Sequence, residues 1–348
     1  MKLKLAAIFT FLTILIPIGL CQAESTKLKI CATTPDLASI LNHLSTDAFD
    51  ITVFANGEED PHFVQPKPSY IKHLYETDII VFNGLELETG WLPPLLERSR
   101  NSRIIPGSLG YIDASKAISA MDVPTIPVDR SMGDVHPQGN PHYMLDPLNG
   151  LAVARLLKQR ISELKPALTA SLEENYEKFK KEITKKLYGT EISDETVISQ
   201  ILHDNTDTEK LLKSHKITIT SNSWQGQLSS TQPLLFIADH NMWPYMARRF
   251  SFEVASFLEP RPGITPTSSH LQTLVELCKS KPILALIIGA YYDPRHADLM
   301  HRSSNIPIIR LAHQVGALPG TDDYLQMFDY NLQRLSEITN AAYRMELK

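Results

Sequence analysis

Cysteine is nearly absent from this 348-residue chain: there are three, at positions 21, 31 and 278. So few rule out a small domain held together by disulfides. Cys31 opens the first predicted strand and Cys278 lies on a predicted helix near the far end, so a bond would have to join distant regions and two buried free thiols are expected. A positive charge balance is also missing. Without Lys2 and Lys4 of the first segment, 32 basic residues face 39 acidic ones, a net charge of −7. That balance excludes nucleic acid and an anionic membrane surface as partners. After residue 20 no long apolar run follows, which excludes a membrane-spanning body. There is no HExxH pair, so the helix that carries zinc and a general base in many hydrolases is absent.

The one long apolar run that is present lies at the start. "MKLKLAAIFTFLTILIPIGLCQA" begins with two lysines, continues from Leu5 to Leu20 and ends in Cys21-Gln22-Ala23. This is the pattern of a signal peptide over residues 1–23, cleaved after Ala23. The run is shorter than the roughly 20 residues a membrane span needs, and Pro17 interrupts it. Leu20 is bulky where lipid attachment at Cys21 wants a small residue, so an anchor is the lesser alternative. The product is expected in the periplasm or otherwise outside the cytoplasm.

Residues 24–148 read as one α/β lobe. "KLKICATT", "FDITVFA" and "DIIVFNG" have strand composition and alternate with the helical "DLASILNHL" and "PSYIKHLYE". A second α/β lobe, residues 190–348, repeats the alternation through "PLLFIAD", "FEVASFL", "ILALIIGA" and "IPIIRLA". Each predicts a mostly parallel sheet flanked by helices. Between them, residues 149–189 carry apolar positions at helical spacing and close on Gly189, which predicts a long backbone helix that Pro166 divides or bends. Residues 190–227 are polar and poorly periodic, and read as a surface excursion of the second lobe. Trp91, Trp224 and Trp243 read as packing residues.

Of twelve histidines, most have ordinary helical or surface settings. Four do not. His62 sits in "EEDPHFVQPKP", where prolines leave it no periodic apolar run to join, and His142 sits in the similar "GDVHPQGNPHYMLDP". His240 and His313 come directly off predicted buried strands. All four fall in loops at the carboxyl ends of strands, two per lobe, which is where open α/β sheets bind ligands.

These loops, with "VFNGLELETGWL", "ADHNMWPYMARRFSFEV" and "GTDDYLQMFDYNLQRL", resemble in order those of the zinc and manganese solute-binding proteins of ABC transporters, the cluster A-I family with a rigid helical backbone. The likeness spans nearly the whole chain after its leader. It implies a non-enzymatic monomer that captures a metal ion and passes it to a membrane permease. It also implies that His62, His142 and His240 are ligands. The family's fourth ligand is usually an aspartate before the closing helix. Here His313 lies near that place and is favoured, with Asp322 and Asp323 as alternatives and Glu59 and His136 as auxiliary candidates. His136 reads first as a loop histidine, because a tetrahedral site is already full without it. Imidazole-rich donors favour Zn2+, whereas Mn2+ prefers oxygen-rich shells with more ligands. Zinc-specific members often carry a long His- and Asp-rich loop that this chain lacks, so Mn2+ or a broader specificity stays open. An exported zinc hydrolase is a weaker alternative, because a closed four-ligand site leaves no position for the attacking water.

Overall fold

The computed structural model describes residues 27–346 apart from 45–46, 129–134, 204–207, 230–232 and 262. The signal peptide predicted over residues 1–23 lies outside them. Among the described residues, eight strands form two sheets. The first contains β1 (Leu28–Ala32), β2 (Phe49–Val53), β3 (Ile79–Phe82) and β4 (Tyr111–Asp113) in the order β2-β1-β3-β4. The second contains β5 (Leu234–Ala238), β6 (Phe252–Phe257), β7 (Ile283–Gly289) and β8 (Ile308–Leu311) in the order β6-β5-β7-β8. All neighbours within them are parallel. Parallel sheets are covered on both faces, and so β3 and the centre of β7 read as continuous apolar runs. In both sheets the strand order reverses beside the first strand, opening a crevice at the carboxyl ends.

The covering helices of the first lobe are α1 (Pro35–Leu44), α2 (Pro68–Glu76) and α3 (Leu92–Ser99). Those of the second are α9 (Pro244–Phe250), α10 (Ser268–Ser280) and α11 (Pro294–Ser304). Between the lobes run α4 (Pro147–Leu164) and α5 (Thr169–Tyr188), followed by α6 (Glu195–His203), α7 (Thr208–Ser214) and α8 (Trp224–Gln227). The last helix, α12, spans Tyr324–Glu346. β4 escapes sequence reading because three residues are too few to show a period.

The helical stretch 149–189 is two helices, divided at Pro166. Lys158 Nζ meets Glu173 at 2.8 Å and Arg155 Nε donates to Tyr176 Oη at 3.1 Å, so α4 and α5 run antiparallel as a hairpin. The backbone helix is therefore α5, which packs on α1 of one lobe and α8 of the other. Gly189 closes it in the left-handed conformation (φ 86°). Segment 190–227 corrects the reading of a surface excursion. Ile192, Val197, Ile198, Ile201, Leu212 and Trp224 are buried in the large central core, and Glu195 pairs with Arg155 of α4. Glu195 also accepts from the buried Lys180 of α5 at 3.0 Å. All three tryptophans are buried packing residues, and each ring N–H is spent on Pro61 O, Asp329 or Asp239. Cys31 and Cys278 are both free, Cys31 buried and Cys278 partly so.

Two contacts tie the lobes to the hairpin. Asp146, fully buried, caps α4 through the Leu148 amide at 3.0 Å and accepts from Arg249 Nε of α9 at 2.9 Å. Tyr324 at the head of α12 donates to Met144 O and Asp146 O, and its ring fills the space over Gly150, where a Cβ would lie 2.4 Å away. Breaking this buried pair from the Arg249 side leaves the Asp146 charge with only the longer 3.5 Å contact to Arg248. Arg249→Met is expected to lower stability by ~3–5 kcal/mol, read by urea unfolding.

Asp323 caps α12 and pairs with His43 of α1 at 2.8 Å. Burial works to raise its carboxyl, but His43, the Leu325 amide and Ser39 outweigh it and hold it down at about 2. A carboxyl depressed by folding stabilises fully above its unfolded value of about 3.8, and the gain is lost as pH falls toward 2. Asp323→Asn is thus expected to cost ~1–2 kcal/mol at pH 7, allowing for partial exposure, and almost nothing at pH 2, measured by unfolding at both values.

Candidate metal centre

His62 is positioned by its own loop. Pro61 starts a short 3-10 turn over Pro61–Phe63, and Asp60 caps it by accepting from the His62 amide at 3.0 Å. The same Asp60 oxygen lies 2.7 Å from His62 Nδ1. Because a carboxylate only accepts, Nδ1 carries the proton and Nε2 keeps a lone pair facing away from the loop. His240, at the carboxyl end of β5, is held likewise: its Nδ1 lies 2.9 Å from Glu259, which also takes the Gly263 amide. Two carboxylates thus orient two imidazoles, an arrangement typical of metal-binding histidines.

His142 stands between them. Its ring centroid is 5.2 Å from His62 and 5.8 Å from His240, edge-on to both. His136 extends the row, 5.1 Å from His62 between centroids, with the two Nε2 atoms 3.1 Å apart. Since His62 Nε2 holds a lone pair, His136 Nε2–H donates to it. His313 approaches from β8 and its edge meets Tyr291 at 4.8 Å between centroids. Its Nε2 donates to the Glu59 carbonyl at 3.2 Å, which leaves Nδ1 with a buried lone pair and no partner.

The electrostatics favour neutral donors. Burial, then the neighbouring histidines, push His142 well below the ordinary histidine value. Burial also lowers His136 and His313 to about 4. His240 is the exception: burial opposes its charge, but the Glu259 bond raises it overall. Among the described residues no three His, Cys, Asp or Glu are drawn into a finished metal shell. His136 occupies His62 Nε2, so an ion taken up there would have to displace that bond, whereas His313 Nδ1 has no partner to lose.

The other sequence candidates are placed differently. Asp323 is committed to His43 and α12, and Asp322 is exposed beside it. The Glu59 carboxylate turns back to the Asn56 amide at 2.6 Å, and only its carbonyl faces His313. Sequence reading missed Glu259. Its signal was available: a carboxylate just beyond β6 followed by Pro-Arg-Pro-Gly, the same setting that marked His62. A separate cavity of about 500 Å³ between α3 and β4, lined by Phe82, Leu92, Leu96 and Tyr111, contains none of the five histidines.

Two parallel-sheet lobes bearing histidine loops on their carboxyl edges define the class of two-lobed α/β solute-binding proteins. The chain belongs to the family of the zinc-uptake complex component A, periplasmic, whose model matches residues 30–188 and 210–338. This is a family of substrate-binding proteins of metal ABC transporters, not of enzymes. The manganese ABC transporter substrate-binding lipoprotein PsaA of Streptococcus mitis is 25% identical over 346 residues, covering 96% of this chain and 98% of its own. The metal ABC transporter substrate-binding lipoprotein ScbA of Streptococcus cristatus is 24% identical, covering 91% and 90%. In fold, the crystal structure of ZnuA superposes with a TM-score of 0.63 at 18% identity, over 89% of this chain and 98% of that one. The solute-binding protein FpvC of Pseudomonas aeruginosa, in complex with Ni2+, gives 0.62 at 16% identity, over 91% and 98%.

If Asp60 and Glu259 orient the imidazoles, removing their charge loosens metal. Asp60→Asn and Glu259→Gln are each expected to weaken divalent-metal affinity by about 10–100-fold, read by isothermal titration.

Proposed function

We propose that this protein captures one zinc ion between its lobes, on His62, His142, His240 and His313, and delivers it to the membrane permease of an ABC transporter. The observation that carries this reading is the set of imidazoles converging from both sheets, with the far sides of His62 and His240 held by Asp60 and Glu259. Rings bound to one ion at about 2.0–2.1 Å sit with centroids roughly 5 Å apart, and the separations of 5.2 and 5.8 Å approach that value. The unpartnered His313 Nδ1 supplies a further buried lone pair. Asp322 and Asp323 have no place in this shell. His136 is an auxiliary group that holds His62 until the ion displaces it. We place the protein outside the cytoplasm as an exported monomer, cleaved after Ala23.

Manganese is the second reading, because PsaA of Streptococcus mitis is named for manganese. The donor set argues against it, since nitrogen donors suit zinc and oxygen donors suit manganese. Metal analysis and titration of the protein expressed without residues 1–23 separate the two. One tightly held zinc, weakened about 100-fold or more by His62→Ala and by His313→Ala, is the expected result. Tight zinc that ignores the His313 change would move the fourth position to His136 or water. A preference for manganese would sink the zinc assignment, and no divalent metal at all would sink the capture reading.

A further inference from the structure

Beside His313 lies a side chain that neither the histidine pattern nor the family resemblance singled out. Gln314 is 2% exposed, and its amide nitrogen lies within hydrogen-bond reach of three backbone carbonyls of the His62 loop: Asn56 O at 2.9 Å, Gly57 O at 3.1 Å and Glu59 O at 2.9 Å. The contact bridges the two lobes, with the amide on the loop after β8 and the carbonyls on the loop after β2. The backbones around it touch as well. A Cβ on Gly57 would lie 2.5 Å from the Gly316 carbonyl carbon, and the Val315 amide donates to Asp36 of α1 at 2.7 Å.

One of the three carbonyls, Glu59 O, also receives His313 Nε2–H. The position of Glu59 therefore fixes two things at once: the tautomer and tilt of His313, and the start of the Asp60–His62 turn. Gln314 holds that carbonyl from the other lobe.

We propose that Gln314 is a positioning residue that sets the separation of His62 and His313 and so selects zinc over manganese at the proposed metal site. The inference rests on the zinc-capture reading above. The selectivity follows from coordination chemistry. Zinc takes a compact tetrahedron and loses much when one imidazole is misplaced, whereas manganese takes larger shells in which water replaces a lost donor.

The test is Gln314→Met, which keeps length and apolar bulk but removes both N–H donors, in the protein expressed without residues 1–23. Zinc affinity is expected to fall by about 10–100-fold, the usual size of an outer-sphere loss, and manganese affinity by less than about threefold. The cobalt(II)-loaded protein reports geometry directly: its intense tetrahedral visible absorption should weaken toward that of a five- or six-coordinate ion. Asp323→Asn serves as a control, because it lowers stability away from the cleft and should leave the zinc-to-manganese ratio and the cobalt spectrum unchanged. Equal losses for both metals, no loss, or a control that shifts the ratio as far as the variant would overturn the proposal. If Gln314→Met fails to fold, Gln314→Asn retains the amide one methylene short of the three carbonyls and is read against the same outcomes. Wild-type protein that binds no zinc refutes the capture reading itself, whereas tight wild-type zinc unaffected at position 314 refutes only this inference.

Discussion

The buried contact between Asp146 and Arg249 is the constraint on which the arrangement of the lobes depends. Asp146 follows His142 in one loop, and Arg249 lies on α9, which follows His240. Their 2.9 Å bond therefore sets the distance between two histidines that approach from opposite sheets. A charge placed where water is excluded is costly unless its partners are fixed. Asp146 has them: the α4 amide end, Arg249 and, through its carbonyl, Tyr324 at the head of α12. One carboxylate thus joins the helical hairpin, the second lobe and the closing helix.

The cleft is bounded by a contact on each side. On the His142–His240 side, Asn140 donates to Asn241 O at 2.7 Å, and Tyr245 Oη donates to Asn140 O at 2.8 Å. On the His62–His313 side, the loops after β2 and β8 meet backbone to backbone. With α5 and α12 also crossing between lobes, a wide hinge opening would break several buried contacts together. A wide clamp is therefore costly here, and local movement of histidine loops is the less expensive way to admit or release an ion.

Most of the fold was legible in the sequence, because seven of the eight strands carry apolar runs bounded by turn residues and α5 ends on a glycine. What was illegible is local and has physical causes. β4 is too short to show a period. The fold-back at Pro166 depends on Lys158 meeting Glu173 and Arg155 meeting Tyr176, tertiary contacts that helical periodicity does not encode. Segment 190–227 hid its buried Ile192, Ile198 and Trp224 among charged residues, one of which, Glu195, pairs with both Arg155 and Lys180. At the candidate site, the loop setting singled out His62, His142, His240 and His313, but it could not reveal that His136 would lie beside His62, with the two Nε2 atoms 3.1 Å apart.

That last placement bears on how the site is kept ready. In the absence of an ion, several neutral imidazoles facing one cleft would leave buried lone pairs unpaired, at a cost of roughly 1–3 kcal/mol each. His136 relieves this at His62 by donating its N–H, and the Glu59 carbonyl fixes His313 by accepting one. Both are single bonds between neutral groups, worth about 0.5–1.5 kcal/mol. The bonds from Asp60 and Glu259 to the far sides of His62 and His240 involve carboxylates and are stronger. A cation arriving at His62 thus competes only with the weak His136 bond, while Asp60, Glu259 and the Glu59 carbonyl hold the far sides of His62, His240 and His313 in place.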